Sequence, residues 1–398
     1  MLFCITSFRL IYYFCKSLEI FTKRLGKIKI LYIIGGENFD NRHRKFLSVI
    51  RNLDAGKYEF NIVCSENLLL MDYLKSYDVP VYLLSLPSRI SSRYTNLINK
   101  LYLGEKFDIV HSFDYISGIY SRLLKKFNPE VMCIHSTESL ITIERKGVFT
   151  KQIVKSTMQY YSLFTDRMIS ENDNDKKLAV KNKYIEKLNA SVIPASVQVS
   201  RFGNLKKNFT LLKDIGLGSE NFIIGSAAPF EDNNNQQLII RAAYYIVKKY
   251  PQIRFLFIGD GKNLNNMKEF ANTSGILDFC SFVFEKENIE DYYSIMDLFI
   301  APDKWGGSAY TLFEAMASRL PIICSTAAEY SAFSRHKHSL VSFDPEDMDD
   351  LFDNIDYYYQ HREERDEIAQ NAMIEATQYD DSVIFPMVEN VYNEVLGG

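Results

Sequence analysis

From Lys29 onward the apolar residues fall in short runs separated by amphipathic stretches. The runs Ile30–Ile34, Glu59–Val63, Val79–Leu84, Asp108–His111, Val131–His135, Arg167–Ser170 and Ser191–Pro194 predict strands. Helical periodicity fills the gaps, as in Arg42–Leu53 and Lys151–Phe164. Strands alternating with helices predict βαβ units and a parallel sheet. Near-continuous apolar runs such as Ile30–Ile34 predict burial on both faces, as a parallel sheet requires. A second series follows Lys206–Lys207, with strands predicted at Phe222–Gly225, Arg254–Ile258, Cys280–Val283, Leu298–Ala301 and Ile322–Cys324. Helices are predicted between them at Gln236–Lys249, Leu264–Ser274, Ile289–Met296 and Tyr310–Ser318, and the tail from Asp347 to Leu396 reads as helices only.

The pattern therefore predicts an α/β protein of two Rossmann-like, doubly wound domains facing a central cleft. Residues 29–202 form the first and 203–398 the second, meeting near Val197–Lys207. A chain of 398 residues exceeds one ordinary α/β core, which agrees with two domains. Open parallel sheets bind ligands at the carboxyl ends of their strands, so the cleft is the expected site.

Composition narrows the classes. Hydrophobic residues make up 47% and charged residues 24%, values of a globular protein. The net charge of −4 gives no case for nucleic-acid binding. The six cysteines form no close metal-ligand pair, and four lie in apolar runs, which reads as a reducing, cytoplasmic setting. Residues 1–28 mix Phe, Ile, Leu and Tyr with Arg9, Lys16, Lys23, Arg24 and Lys27. Their apolar runs fall short of the ~20 residues that span a bilayer. They read either as a basic helix lying on the inner, anionic face of a membrane or as a loosely packed extension.

The stretch with most chemical content is Tyr310–Ser325, YTLFEAMASRLPIICS. A predicted strand ends at Pro302, and a loop with Lys304, Gly306, Gly307 and Ser308 leads into a helix carrying Tyr310, Thr311 and Glu314. Paired glycines let a ligand approach the backbone, and a helix amino terminus favours an anion. Glu314 is an acid in an otherwise apolar helix, so it needs a partner. Ribose hydroxyls could supply one; so could a cation of its own domain.

This stretch resembles the glutamate-bearing motif of retaining GT-B glycosyltransferases, family 4 in particular. Phe255–Leu264 (FLFIGDGKNL), Tyr292–Pro302, Asn234–Ala243 and Ser339–Leu351 resemble further segments of that family in the same order. Val192–Phe202 resembles its domain linker. The resemblance implies that Glu314 holds the nucleotide ribose and that His135 sits at the cleft edge near the donor sugar. It implies that Gly35 and Gly36 form the loop under the donor diphosphate, with Gly259, Lys262, Lys304, Gly306, Gly307, Ser308, Tyr310 and Thr311 also on the donor side. Local readings stand beside these: His135 as a core histidine, Gly35 and Gly36 as a tight turn, and His111 as structural. The last helix, near Ser382–Val395, is expected to cross back onto the first domain.

The chain departs from the family at the donor site. Gly306 stands where the first glutamate is usual, Ser226 where an arginine is usual and Asn234 where a lysine is usual. Ala195-Ser196 and Ala327-Ala328 replace usual Asn-Gly and Gly-Gly pairs. Lys262, Lys304, Arg42 and Arg44 are the cations that could substitute. The expected function is retaining sugar transfer from a nucleotide-diphospho-sugar to a cell-surface polysaccharide or glycolipid acceptor. That sugar is a co-substrate, and the resemblance implies no metal or other cofactor. The missing charges also motivate a rival, a catalytically silent GT-B protein that supports an active transferase.

Overall fold

The computed structural model describes residues 26–36, 40–77, 79–87, 90–137, 139–284, 288–305, 309–326 and 338–397. All but the last three residues of the basic amino-terminal segment lie outside them, as do Gly306, Gly307, Ser308 and Ala327-Ala328.

Two all-parallel sheets form the frame. The first holds β1 (Ile28–Ile33), β2 (Tyr58–Cys64), β3 (Val81–Leu83), β4 (Ile109–Ser112), β5 (Met132–Ser136), β6 (Arg167–Ser170) and β7 (Ala190–Val192). Their spatial order is β3-β2-β1-β4-β5-β6-β7. The second holds β8 (Phe222–Ala227), β9 (Ile253–Ile258), β10 (Cys280–Val283), β11 (Leu298–Ala301), β12 (Ile322–Ser325) and β13 (Val341–Phe343), in the order β10-β9-β8-β11-β12-β13. In each sheet the order turns outward from the first strand in both directions. That reversal opens a crevice at the carboxyl ends of β1 and β4, and another at those of β8 and β11. The architecture is the α/β, two-sheet Rossmann-like arrangement expected from the hydrophobic pattern. The third and seventh strands are shorter than their apolar runs. The edge strand β13 was not expected, because three residues (VSF) carry too little periodicity to separate strand from loop.

The helices that matter for the cleft are α1 (Asn41–Asn52), α2 (Tyr115–Phe127), α3 (Gln236–Lys249), α4 (Ala309–Ala317) and α5 (Asp381–Val395). Asp40 caps α1, accepting from Arg42 N while Asp40 N donates to His43 Nδ1. Asp114 caps α2 by accepting from Ser117 N at 2.9 Å. Helix α4 is buried along nearly its whole circumference, which suits its run of Ala, Leu, Phe and Met.

The chain crosses between the sheets twice, and the two crossings are tied together. Val197 N donates to Tyr379 O and Asp381 N to Val197 O, while Val199 N donates to the Asp380 carboxylate at 3.0 Å. Helix α5 then lies against α1 and the first sheet. Tyr392 stands in the first-sheet core with its hydroxyl 3.0 Å from Tyr32 and 2.8 Å from His111 Nδ1. Lys57 pairs with Glu389 at 2.6 Å, and Asn52 donates to Asp381 at 3.1 Å.

Candidate active site

The loop after β1 leads into α1, the helix whose Arg44 pairs with Glu314 of the second half. Gly35 N donates to Asp114 Oδ2 at 2.7 Å, so the acid that caps α2 also fixes this loop. Gly36 has φ +89°, a conformation costly for any side chain, and a Cβ there would strike the Arg42 guanidinium. The space that a bare glycine leaves is thus covered by Arg42, which the Asp40 carboxylate holds by an ion pair. Arg42 and His43 beside it keep Asp40 well below the usual carboxylate range, against the opposing effect of its burial.

Glu314 has two partners that the sequence did not name. Tyr293, at the end of the short helix Ile289–Tyr293, donates its hydroxyl to Oε2 at 2.9 Å. Arg44 of α1 donates to Oε1, forming an ion pair from the first sheet to the second. Both side chains are about 10% exposed, 11% for Arg44 and 10% for Glu314. The alternative in which Glu314 pairs with a cation of its own domain is therefore corrected: the cation comes from across the cleft. Tyr310 is buried beside it, and Thr311 O lies 3.4 Å from the Tyr293 hydroxyl. The cavity between Arg44, Arg51, Arg201, Tyr310 and Glu314 holds about 40 Å³.

The remaining donor-side residues separate into two places. In the loop after β9, Gly259 and Gly261 have φ +148°, and Cβ atoms there would run into the backbone of Ala228 and Phe230. These glycines admit a neighbouring protein loop. Lys262 is exposed and pairs with Asp232 at 2.8 Å and Glu231 at 3.2 Å. After β11, Lys304 N donates to Asn233 O at 2.7 Å, and Asn234 donates its amide to the buried Asp303 carboxylate. The asparagine at the family's lysine position thus anchors the donor-side loop. Ser226, at the arginine position, has a buried hydroxyl with no hydrogen-bond partner among the described residues.

His135 is the penultimate residue of β5 on the first sheet and is buried. Its Nδ1 lies 3.0 Å from Ser112 Oγ, which is 2.9 Å from Ser121 Oγ. Burial pushes its pKa well below 6.5, and Arg122 and His111 push it further, so the ring is neutral. With Nδ1 taken, Nε2 is the nitrogen without a protein partner among the described residues. His135 lines a separate cavity of about 200 Å³ with Tyr115, Thr137, Leu140, Lys146 and Met158. His111 is engaged on both nitrogens, by Tyr392 and by Ser136 Oγ at 2.9 Å.

Arg122 is a charged neighbour of His135. It is fully buried, donates from Nε to Thr165 Oγ at 2.7 Å, and its pKa is lowered by burial to about 10. Gly118 makes room for both residues: a Cβ there would lie 2.6 Å from His135 and 2.9 Å from Arg122. Gly118→Ala is expected to overpack this corner and cost about 1–3 kcal/mol. Urea denaturation reads this directly; a midpoint equal to that of the wild type would refute the packing argument.

The cleft is bridged a second time by Arg145, whose guanidinium lies 5.4 Å from the ring centre of Trp305. Sequence reasoning named neither this pair nor Tyr293, Asp114 and Arg122. Asp114 was findable, since Asp-x-x-Ser before an amphipathic run marks a helix start. The others depend on the folding of remote segments.

Residues 208–374 match the family model of glycosyl transferases group 1. They belong to that family. The group 1 region contains Glu314, Tyr293 and the whole second sheet. Over 386 residues the chain is 23% identical to the UDP-Gal:alpha-D-GlcNAc-diphosphoundecaprenol alpha-1,3-galactosyltransferase of Escherichia coli, covering 94% of this chain and 93% of that one. It is 22% identical to the alpha-monoglucosyldiacylglycerol synthase of Acholeplasma laidlawii over 70% of this chain and 78% of that protein. Among solved structures, Anabaena HepE in complex with UDP and glucose superposes with a TM-score of 0.80 at 13% identity, covering 92% of this chain and 99% of that one. WaaG, a glycosyltransferase involved in lipopolysaccharide biosynthesis, superposes at 0.71 with 12% identity, covering 93% and 100%. These likenesses establish the GT-B fold for the group 1 region and the sheet that faces it.

Proposed function

We propose that this chain is a retaining hexosyltransferase that moves a sugar from a nucleotide-diphospho-sugar to a glycolipid or polysaccharide acceptor. The observation that carries the reading is Glu314: a nearly buried carboxylate on the group 1 motif, paired with Arg44 of α1 from the first half of the chain. One relative is named for transfer to a diphosphoundecaprenol-linked sugar and another for a glucosyldiacylglycerol product, which supports a lipid-borne acceptor. The solved neighbours that hold UDP and glucose support the nucleotide-sugar donor.

In this reading residues 29–202 serve the acceptor and residues 203–398 the donor. Glu314 accepts from the ribose hydroxyls, and Tyr293 keeps the carboxylate oriented. Gly35, Gly36 and Lys304 serve the diphosphate and sugar, and the family resemblance implies the same of Gly306, Gly307 and Ser308. In this reading the donor sugar reaches the cavity that His135 lines, and His135, held neutral with Nδ1 on Ser112, donates to it from Nε2. As the bond from the anomeric carbon to the diphosphate oxygen breaks, negative charge grows on that oxygen and positive charge on the ring. The acceptor hydroxyl attacks from the same face, bonds to the anomeric carbon and gives its proton to the departing phosphate oxygen. Fixed donors aimed at that oxygen lower the barrier because they need no reorganisation. No helix among the described residues is long and apolar enough to cross a membrane.

The test is incubation with a panel of nucleotide-sugars and diphosphoundecaprenol-linked N-acetylglucosamine as acceptor, following nucleoside diphosphate release and the anomeric coupling of the product by NMR. Transfer with the donor's own anomeric configuration is expected. An inverted product would refute retention; release of no diphosphate from any donor would favour the silent reading.

A further inference from the structure

A departing diphosphate needs positive charge, and two positions of the second sheet do not supply it. Ser226, one residue before the end of β8, offers a neutral hydroxyl, and Asn234 is spent on Asp303. Of the cations nearby, Lys262 is committed to Asp232 and Glu231, and ribose binding would release neither acid. Arg44 differs. Its guanidinium is bound to the Glu314 carboxylate, the group that a ribose would take. Two residues before it, Arg42 covers the backbone of Gly36 in the loop that faces the donor.

We propose that Arg44, with Arg42 beside it, is the cationic site for the donor diphosphate, and that Arg44 reaches it by exchanging partners. This rests on the ribose reading of Glu314. The ribose hydroxyls replace the guanidinium on Glu314, and the guanidinium turns to the phosphate oxygens. One ion pair thereby opens onto two adjacent parts of one ligand, and neither charge is left alone. The cavity beside the pair is lined by Arg44, Arg51, Arg201, Tyr310 and Glu314, so a ligand entering it meets the ion pair directly.

Local physics points the same way. The amino-terminal stretch of α1 carries Arg42, His43, Arg44 and Lys45, with no acid in its first turn. The helix dipole opposes positive charge there, so the stretch is locally unfavourable. Asp40, Glu171 and Glu314 offset it in this state, through Arg42, Lys45 and Arg44 respectively. A diphosphate would add the charge-assisted, bidentate contacts that suit guanidinium groups. The first sheet would then supply what the second has lost.

Titration calorimetry tests this with UDP, GDP, ADP and dTDP on the wild type, then with the diphosphate that binds and its parent nucleoside on Arg44→Ala and Arg44→Lys. Arg44→Ala is expected to weaken the diphosphate roughly ten- to hundred-fold, the equivalent of about 1.5–3 kcal/mol for a charged hydrogen bond. The nucleoside should bind Arg44→Ala as well as or better than the wild type, because its competitor for Glu314 is gone. Arg44→Lys should recover part of the loss, which a merely structural role would not give. Diphosphate affinity that is unchanged or raised in Arg44→Ala would overturn the proposal and leave Arg44 as a lock on the cleft. If the wild type binds no diphosphate, the ribose reading of Glu314 fails first and this inference with it. If Arg44→Ala does not fold, equal affinity in Arg44→Lys and Arg42→Gln to that of the wild type would overturn it in the same way.

Discussion

Glu314→Ala is expected to destabilise the protein by about 3–5 kcal/mol, the usual cost of leaving one member of a buried ion pair behind. Arg44 is 11% exposed and would lose a carboxylate, and Tyr293 would lose the acceptor at 2.9 Å. Thr311 O, 3.4 Å from the same hydroxyl, can recover part of the second loss. The effect should be strongly non-additive. In an Arg44→Ala background the same substitution should cost less by about 1 kcal/mol or more, because the stranded charge is absent. Urea denaturation of the four proteins of this cycle measures the difference. Additive losses would show that the pair is not coupled across the cleft, and the arrangement of the two sheets described here would then be wrong.

Acid is expected to weaken the fold well above the range where carboxylates titrate. His111 and His135 are both buried, and burial is the first cause of their depressed pKa values. The sign follows from proton binding. The unfolded chain takes up protons near pH 6.5 that the folded chain refuses. The stabilisation is therefore complete above about pH 6.5 and is lost as pH falls, at up to about 2.7 kcal/mol per pH unit for two groups. Asp175 opposes this. Burial raises its pKa from 3.8 to about 6, so the folded state binds a proton that the unfolded state has already lost. Its effect grows as pH falls through about 6 towards 4 and offsets about half of that slope. The two histidines together outweigh Asp175, so stability falls between pH 7 and pH 5. Below that, Glu144, lowered to about 2 by Lys151 and Lys155, adds a further loss in the same direction. Denaturation at pH 7, 6 and 5 checks the slope, and His111→Gln should reduce it by one proton. Stability that is flat or rising towards pH 5 would contradict the neutral state assigned to His135.

The fold was legible because both sheets are parallel and buried on two faces, which writes their strands as apolar runs. Ile30–Ile34 and Arg254–Ile258 could be read with little ambiguity, whereas Val341–Phe343, at a sheet edge, could not. Glu314 was legible for a related reason: an acid in an apolar helix demands a partner, and the motif around it is specific. What the sequence could not show was who that partner is. Arg44 lies 270 positions away, and only the packing of α1 against the second sheet brings the two together. The same holds for Gly36. Its glycine pointed to a close approach, but the group that approaches is the chain's own Arg42. Lys262 was an attractive cation on spacing alone, and two acidic neighbours in the preceding loop answer it.

The central claim is that the cleft between the sheets takes a nucleoside diphosphate through Glu314. Titration of the wild type and Glu314→Gln with UDP, GDP, ADP and dTDP tests it most directly, since glutamine keeps the shape and removes the charge. One diphosphate should bind the wild type, and Glu314→Gln should weaken it by roughly ten-fold or more. Absence of binding by all four, or equal affinity in both proteins, would contradict it.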